Sequence, residues 1–203
     1  MARRSLAVWL AVLTATVSCA TRAAEPALES GDLVFETSSS AQSAAIQWAT
    51  GSRWSHVGIV EVSPAGEVYV IEALARVSRT PWPAWLRRAR RGGEVLALRP
   101  RGLSAAQRAA AAAEAAKLLG RPYDPRFGWG DDRIYCSELV VKAYERSAGV
   151  SLGRREKLGD LRLLGIEAAA EKRWGGPVPR DLVLVTPASI AEDARLARVN
   201  GRR

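Results

Sequence analysis

The strongest constraint on how this chain can fold is a pair of short runs rich in β-branched residues. Ser55–Val62 and Glu67–Ala73 flank the turn residues Pro64-Ala65-Gly66. β-Branched side chains favour the pleated conformation, and a Pro/Gly break between two such runs reverses the chain. Two strands joined this closely pair antiparallel. The fold must therefore be built around an antiparallel sheet.

Other segments add to that hairpin. Gly31-Asp32-Leu33-Val34-Phe35 reads as a turn entering a strand, and Ala41–Thr50 as a helix stopped by Gly51. Val77–Thr80 reads as a short strand. Trp82–Leu86 with the basic cluster Arg87, Arg88, Arg90 and Arg91 reads as a loop with a helical turn. Glu94–Arg99 is strand-like. An Ala-rich helix is expected from Ser104 to about Leu119, closed by Gly120 and Pro122. After a Gly/Pro/Asp-rich loop over 122–133, Tyr135–Ala148 places Leu139, Val140, Ala143 and Tyr144 on one helical face. Gly159–Arg173 reads as helical, Asp181–Val185 as a strand, and Pro187–Arg198 as a terminal helix. There is no internal repeat and no second domain boundary. Hairpins alongside separate helices predict an α+β fold.

The 203 residues, 48% of them hydrophobic, suffice for one domain. The formal charge of +9 is spread over scattered arginines. With no finger, helix-turn-helix or aromatic RNA-binding signature, nucleic acid is not an expected partner. Arg3 and Arg4 precede an apolar run, Leu6–Val17, and then small residues to Ala24. That order predicts a secretory signal over residues 1–23, with cleavage after Ala20 or Ala23. Lipoprotein processing at Cys19 is the second option, although Thr16 stands where Leu is usual. Residues 24–30 read as a linker, 31–198 as the domain and 199–203 as a basic tail. The expected location is exported, periplasmic or secreted.

Beyond the leader the chain has one thiol, Cys136, and one imidazole, His56. A structural zinc site needs about four Cys or His ligands, which this chain lacks. Cys136 lies where the loop gives way to a helix, and a helix N-terminus stabilises a thiolate. The same amides can receive the oxyanion of an acyl-transfer intermediate. His56, at the start of a strand, is the base such a thiol requires. Glu72, ending the partner strand, is placed to orient the imidazole as the third member. A buried structural Cys, a packed His and a solvated Glu are the competing readings.

Gly31–Phe35, Ser55–Val60, Val70-Ile71-Glu72-Ala73, Gly120-Arg121-Pro122-Tyr123-Asp124 and Tyr135–Val140 occur in one order. With Val183–Ile190, this set resembles the circularly permuted papain-like hydrolases of the NlpC superfamily, in their YiiX/YebB-like group. The resemblance spans roughly residues 30 to 192. It implies a permuted papain-like core, a central antiparallel sheet packed with helices, and the catalytic order His56, Glu72, Cys136. Neither a metal nor an organic cofactor is implied. Tyr135 and Asp124 fall on motif positions; Tyr135 lines the cleft or packs, and Asp124 caps its loop or serves the site. The expected reaction is amide cleavage in a peptidoglycan-type peptide through an acyl-enzyme. The alternatives are a lipid-directed acyl hydrolase or acyltransferase, and a non-catalytic envelope-binding module. Trp82, Trp85 and the Arg87–Arg91 cluster form either a patch against anionic lipid or core indoles beside a solvated basic turn.

Overall fold

The computed structural model of the chain describes residues 27–38 and 40–199. The expected signal, Cys19 with it, and residues 200–203 of the basic tail lie outside the described residues. Six strands form one antiparallel sheet in the order β4-β3-β2-β1-β5-β8. They are β1 Leu33–Glu36, β2 His56–Val62, β3 Val68–Ala73, β4 Val77–Pro81, β5 Val95–Pro100 and β8 Leu196–Arg198. A small second sheet pairs β6, Arg155–Lys157, with β7, Val183–Val185. The helices are α1 Ala41–Thr50, α2 Trp82–Gly92, α3 Ala105–Ala116, α4 Cys136–Ala148, α5 Glu167–Trp174 and α6 Pro187–Ala191. The fold is α+β, as expected.

Alternation along the strands assigns each side chain to a layer. Leu33, Phe35, Val57, Ile59 and Ile71 pack with α3 and α4, where Ala111, Ala112 and Ala115 allow close approach. Val34, Val60, Val70 and Ala97 pack on the opposite face with Trp82, Trp85, Leu86 and Ala89 of α2. Trp82 and Trp85 stack with centroids 5.2 Å apart. Replacing the fully buried Trp85 by Ala would cost about 3–5 kcal/mol. Because helices cover both faces, the strands read as nearly continuous hydrophobic runs.

Two glycines set close approaches. Gly31, at φ +89°, offers its carbonyl to the buried Tyr144 hydroxyl, and a Cβ there would sit 2.4 Å from the Arg108 carbonyl oxygen. At Gly58 a Cβ would meet Val70 at 2.4 Å and the Glu72 side chain at 3.3 Å. Any larger residue would displace the strand that carries Glu72.

Several local expectations are corrected. The segment expected as a loop with a helical turn is the eleven-residue helix α2, with Pro83 in its first turn. Its apolar residues 82, 85, 86 and 89 recur at helical spacing and form a core face. Both indoles are therefore in the core, while Arg87, Arg90 and Arg91 are exposed. The helix expected over Gly159–Arg173 is confined to α5 and preceded by a 3-10 turn, Leu158–Asp160.

The expected terminal helix stops at Ala191. The Asp193 carboxylate accepts from the Arg195 and Gly153 amides at 2.9 and 2.8 Å. That turn sends Leu196–Arg198 back as a strand against β5. Residues 27–30, expected as the end of a linker, are held instead. Glu29 pairs with Arg99 and Arg108, and Leu28 packs beneath α2. Arg99 also clamps the buried Asp32 carboxylate through two contacts, at 2.6 and 2.7 Å.

Candidate active site

Cys136 is the first residue of α4. Its N-cap, Tyr135, is extended and caps with its backbone alone, its amide donating to Glu138 at 3.1 Å. The Tyr135 hydroxyl accepts from the Val185 amide, and the first-turn amides of α4 have no carbonyl partner within the helix. This free end of the helix points its partial positive charge at the thiol. Cys136 forms no disulfide among the described residues and is 4% exposed.

His56 opens β2, so its ring stands at the strand's end beside the thiol. Its Nε2 lies 2.8 Å from Glu72 Oε2, leaving Nδ1 for Cys136. Burial works against an imidazolium here. Hydrogen bonds to Cys136 and Glu72 outweigh it and push His56 up to about 10. Burial likewise opposes a thiolate, but His56, Ser137 and the Val57 amide bring Cys136 below its ordinary value. Both shifts favour the thiolate and imidazolium form of the pair. Glu72, whose burial alone would raise it, is held at about 2 by His56 and Arg88.

The sequence-predicted trio of Cys136, His56 and Glu72 thus meets at one point. Four further groups were not anticipated. Glu72 is fully buried and accepts from five donors. These are His56, Thr80 at 2.7 Å, Trp85 Nε1 at 3.1 Å, and both Arg88 terminal nitrogens at 3.0 and 2.7 Å. Arg88 also reaches Glu36, at 3.4 Å. Glu36 is the register partner of His56 on β1, buried, with its Oε2 lacking a partner among the described residues. Burial raises the Glu36 carboxyl above its ordinary value. The signal for Arg88 was present in the sequence: it lies three residues after Trp85, on the turn that faces the sheet.

Two cavities meet at Cys136. One, of about 270 Å³, runs between α1 and α5 and is overwhelmingly apolar. Its wall includes Ala45, Ile46, Leu161, Leu163, Ile166 and Trp174, with Arg173 its only cation. The other, of about 190 Å³, contains His56, Glu36, Ser38, Ser40, Ser43 and Ser55. Tyr123 and Gln42 border both, the Tyr123 hydroxyl accepting from Gln42 Nε2 at 2.9 Å. Tyr135 lines the apolar cavity and packs edge-on to Phe127. Asp124 caps its own loop, accepting from the Arg126 and Gly128 amides.

A family model described as permuted papain-like amidase enzyme, YaeF/YiiX, C92 family, matches residues 27–200. The uncharacterized protein YiiX of Escherichia coli (strain K12) is 35% identical over 192 residues, 94% of each chain. A crystal structure of YiiX from Escherichia coli O157:H7, described as a metalloprotein, matches with a TM-score of 0.79 and 35% identity. That match covers 86% of this chain and 97% of the other. Among the described residues, no group of three or more His, Cys, Asp or Glu side chains is arranged to hold a metal ion. The donors among the described residues do not fit a resident metal.

Proposed function

The chain belongs to the permuted papain-like amidases of the YaeF/YiiX (C92) family, and on that premise we propose that it hydrolyses amides carrying a long apolar acyl group. The observation that carries this reading is the apolar cavity opening on the Cys136 sulfur. An acyl chain gains about 0.8 kcal/mol for each methylene it buries. A peptidoglycan stem peptide would instead bring carboxylates and amides to a wall that offers one cation, Arg173, and little else to bind them. The acyl reading therefore moves ahead of the peptidoglycan reading favoured from sequence.

The reaction follows from the placement of the groups. The Cys136 thiolate attacks the amide carbonyl, and the free amides at the start of α4 receive the oxyanion. His56 gives its proton to the nitrogen as the C–N bond breaks, releasing an amine and leaving a thioester. His56 then takes a proton from water, which attacks the thioester, releases the carboxylic acid and restores the thiolate. Glu72 holds the ring so that Nδ1 faces sulfur throughout. His56 borders the polar cavity and not the apolar one. The leaving amine must lie on the imidazole side, so the acyl chain takes the apolar cavity.

Trp48, 54% exposed, and Leu164, 81% exposed, stand on α1 and on the loop before α5, the two walls of that cavity. They are suited to meet the surface that presents the acyl chain, an anionic membrane included. Export by the N-terminal leader would bring the enzyme to lipid-linked amides of the cell envelope.

Purified protein incubated separately with an N-dodecanoyl amide, a dodecanoyl ester and a muropeptide, followed by mass spectrometry, tests the proposal. Release of dodecanoic acid from the amide, lost in Cys136→Ala, is expected. Cleavage of the muropeptide with the acyl amide untouched would restore the peptidoglycan reading. Binding without cleavage of any would favour the non-catalytic module.

A further inference from the structure

Glu36 is a buried carboxylate that the mechanism does not use. Its side chain is 4% exposed and, among the described residues, its Oε2 has no hydrogen-bond partner and its Oε1 only a long contact to Arg88. Such a group costs stability unless something completes it. The charges around it leave it in excess. Arg88 and the His56 imidazolium balance Glu72 and the Cys136 thiolate, so an ionised Glu36 is an extra negative charge in a closed setting. It borders the polar cavity of about 190 Å³, whose wall also carries the mutually compensating His56 and Cys136 and the neutral Ser38, Ser40, Ser43, Ser55, Gln42 and Tyr123. Among the described residues, no Lys or Arg borders this cavity. It is short of one cation.

We infer that this cavity is a subsite for a primary ammonium group on the leaving-amine half of the substrate, with Glu36 as its counter-charge. The assignment rests on the amide reading above, because the cavity holding His56 receives the group that leaves. An ammonium supplies three donors, enough for the carboxylate and two serine hydroxyls. An anion would be repelled, and an apolar leaving group would leave Glu36 uncompensated. The substrate class is then an N-acylated diamine or a lysine-like amine, acyl chain on one side of the sulfur and cation on the other.

Rates of hydrolysis for a matched pair of amides test this. N-Dodecanoyl-cadaverine carries a free ammonium; N-dodecanoyl-hexylamine replaces it with a methyl group. Wild-type protein should favour the former by about tenfold or more in kcat/KM, the worth of one charge-assisted hydrogen bond. In Glu36→Gln that ratio should collapse toward unity, whatever happens to the absolute rates. Equal rates for the two amides with wild-type protein, or a preference that survives in Glu36→Gln, would overturn the inference.

If neither amide is cleaved, the acyl-amide reading fails and a second measurement judges the subsite alone. Alkylation of Cys136 by iodoacetamide in the wild-type protein is followed with n-pentylammonium or n-pentanol present. Slowing by the ammonium alone supports the subsite, and equal slowing or none refutes it. The same measurement decides the matter if Glu36→Gln does not fold.

Discussion

His56 has a carboxylate on either side, and the two have opposite fates. On the β3 side Glu72 is wrapped by five donors and stays ionised down to about 2. On the β1 side Glu36 is almost as buried, yet has one long contact and a raised pKa. Depth is not the difference. What separates them is α2: Trp85 and Arg88 aim at β3, and only the edge of the Arg88 guanidinium reaches β1. A buried acid is a fixed anion where donors have been built around it, and a carboxyl held above its ordinary value where they have not.

The largest effect that would break this contrast is expected from Glu72→Gln. Without the anion, Nε2 loses its oriented partner and the imidazolium its stabiliser, so kcat/KM should fall by about 10³-fold. The pH dependence of alkylation should move with it. In wild-type protein the ion pair lowers the thiol, so the rise in alkylation rate with pH should come below 9.0, the ordinary thiol value. Glu72→Gln should restore a steep rise toward 9.0. A rise in the variant at the same pH as in the wild type would mean that Glu72 does not support the pair.

Arg88→Met comes next. It strips Glu72 of its bidentate partner and Glu36 of its sole contact. About 2 kcal/mol should be lost in urea unfolding, after allowance for the 35% of the Arg88 side chain that solvent reaches. Arg88→Lys should recover only part of it, since a single ammonium cannot span both oxygens. Full recovery would show that charge, not the fork, is what matters.

The sign of the linkage separates the two acids in stability. Glu72 has a lowered pKa, so its contribution is complete above 4.5 and fades as pH falls toward about 2. His56 is raised, so its contribution is complete below 6.5 and is lost as pH rises through about 10. Glu36 is raised by burial, so keeping it ionised is a cost that grows with pH. The smallest predicted effect follows: at pH 8, Glu36→Gln should stabilise the free protein by about 1 kcal/mol in thermal unfolding, and Glu72→Gln should destabilise it. A lower Tm for Glu36→Gln would show that its carboxylate already has a partner.

The candidate trio was legible because the chemistry leaves little choice: one imidazole, one thiol among the described residues, and a Glu ending the partner strand. The hairpin was legible because its turn is local. Arg88 was hidden among Arg87, Arg90 and Arg91, and only the helical phase of α2 separates the inward arginine from the outward ones. β8 was hidden because Ala191–Arg198 has helical composition, while its strand conformation comes from Asp193 and the free edge of β5. Glu36 gave no signal, since a Glu at a strand end is ordinarily solvated. The apolar cavity was beyond reach for another reason. Its walls, α1 and α5, lie more than a hundred residues apart and acquire their function only when folded together.

One more consequence follows from the clamp on residues 27–30. Arg99 on β5 holds the Ala27 carbonyl oxygen, and the Val199 amide donates to Ala97 on the same strand. Entry and exit of the domain are thus moored to a single strand, on the side of β1 away from the hairpin that carries His56 and Glu72. A splice between these moorings, with a new opening in the exposed Pro64–Gly66 turn, would rename every residue's rank while leaving each neighbour in place. For this architecture, where the polypeptide starts is a matter of bookkeeping, and the chemistry is indifferent to it.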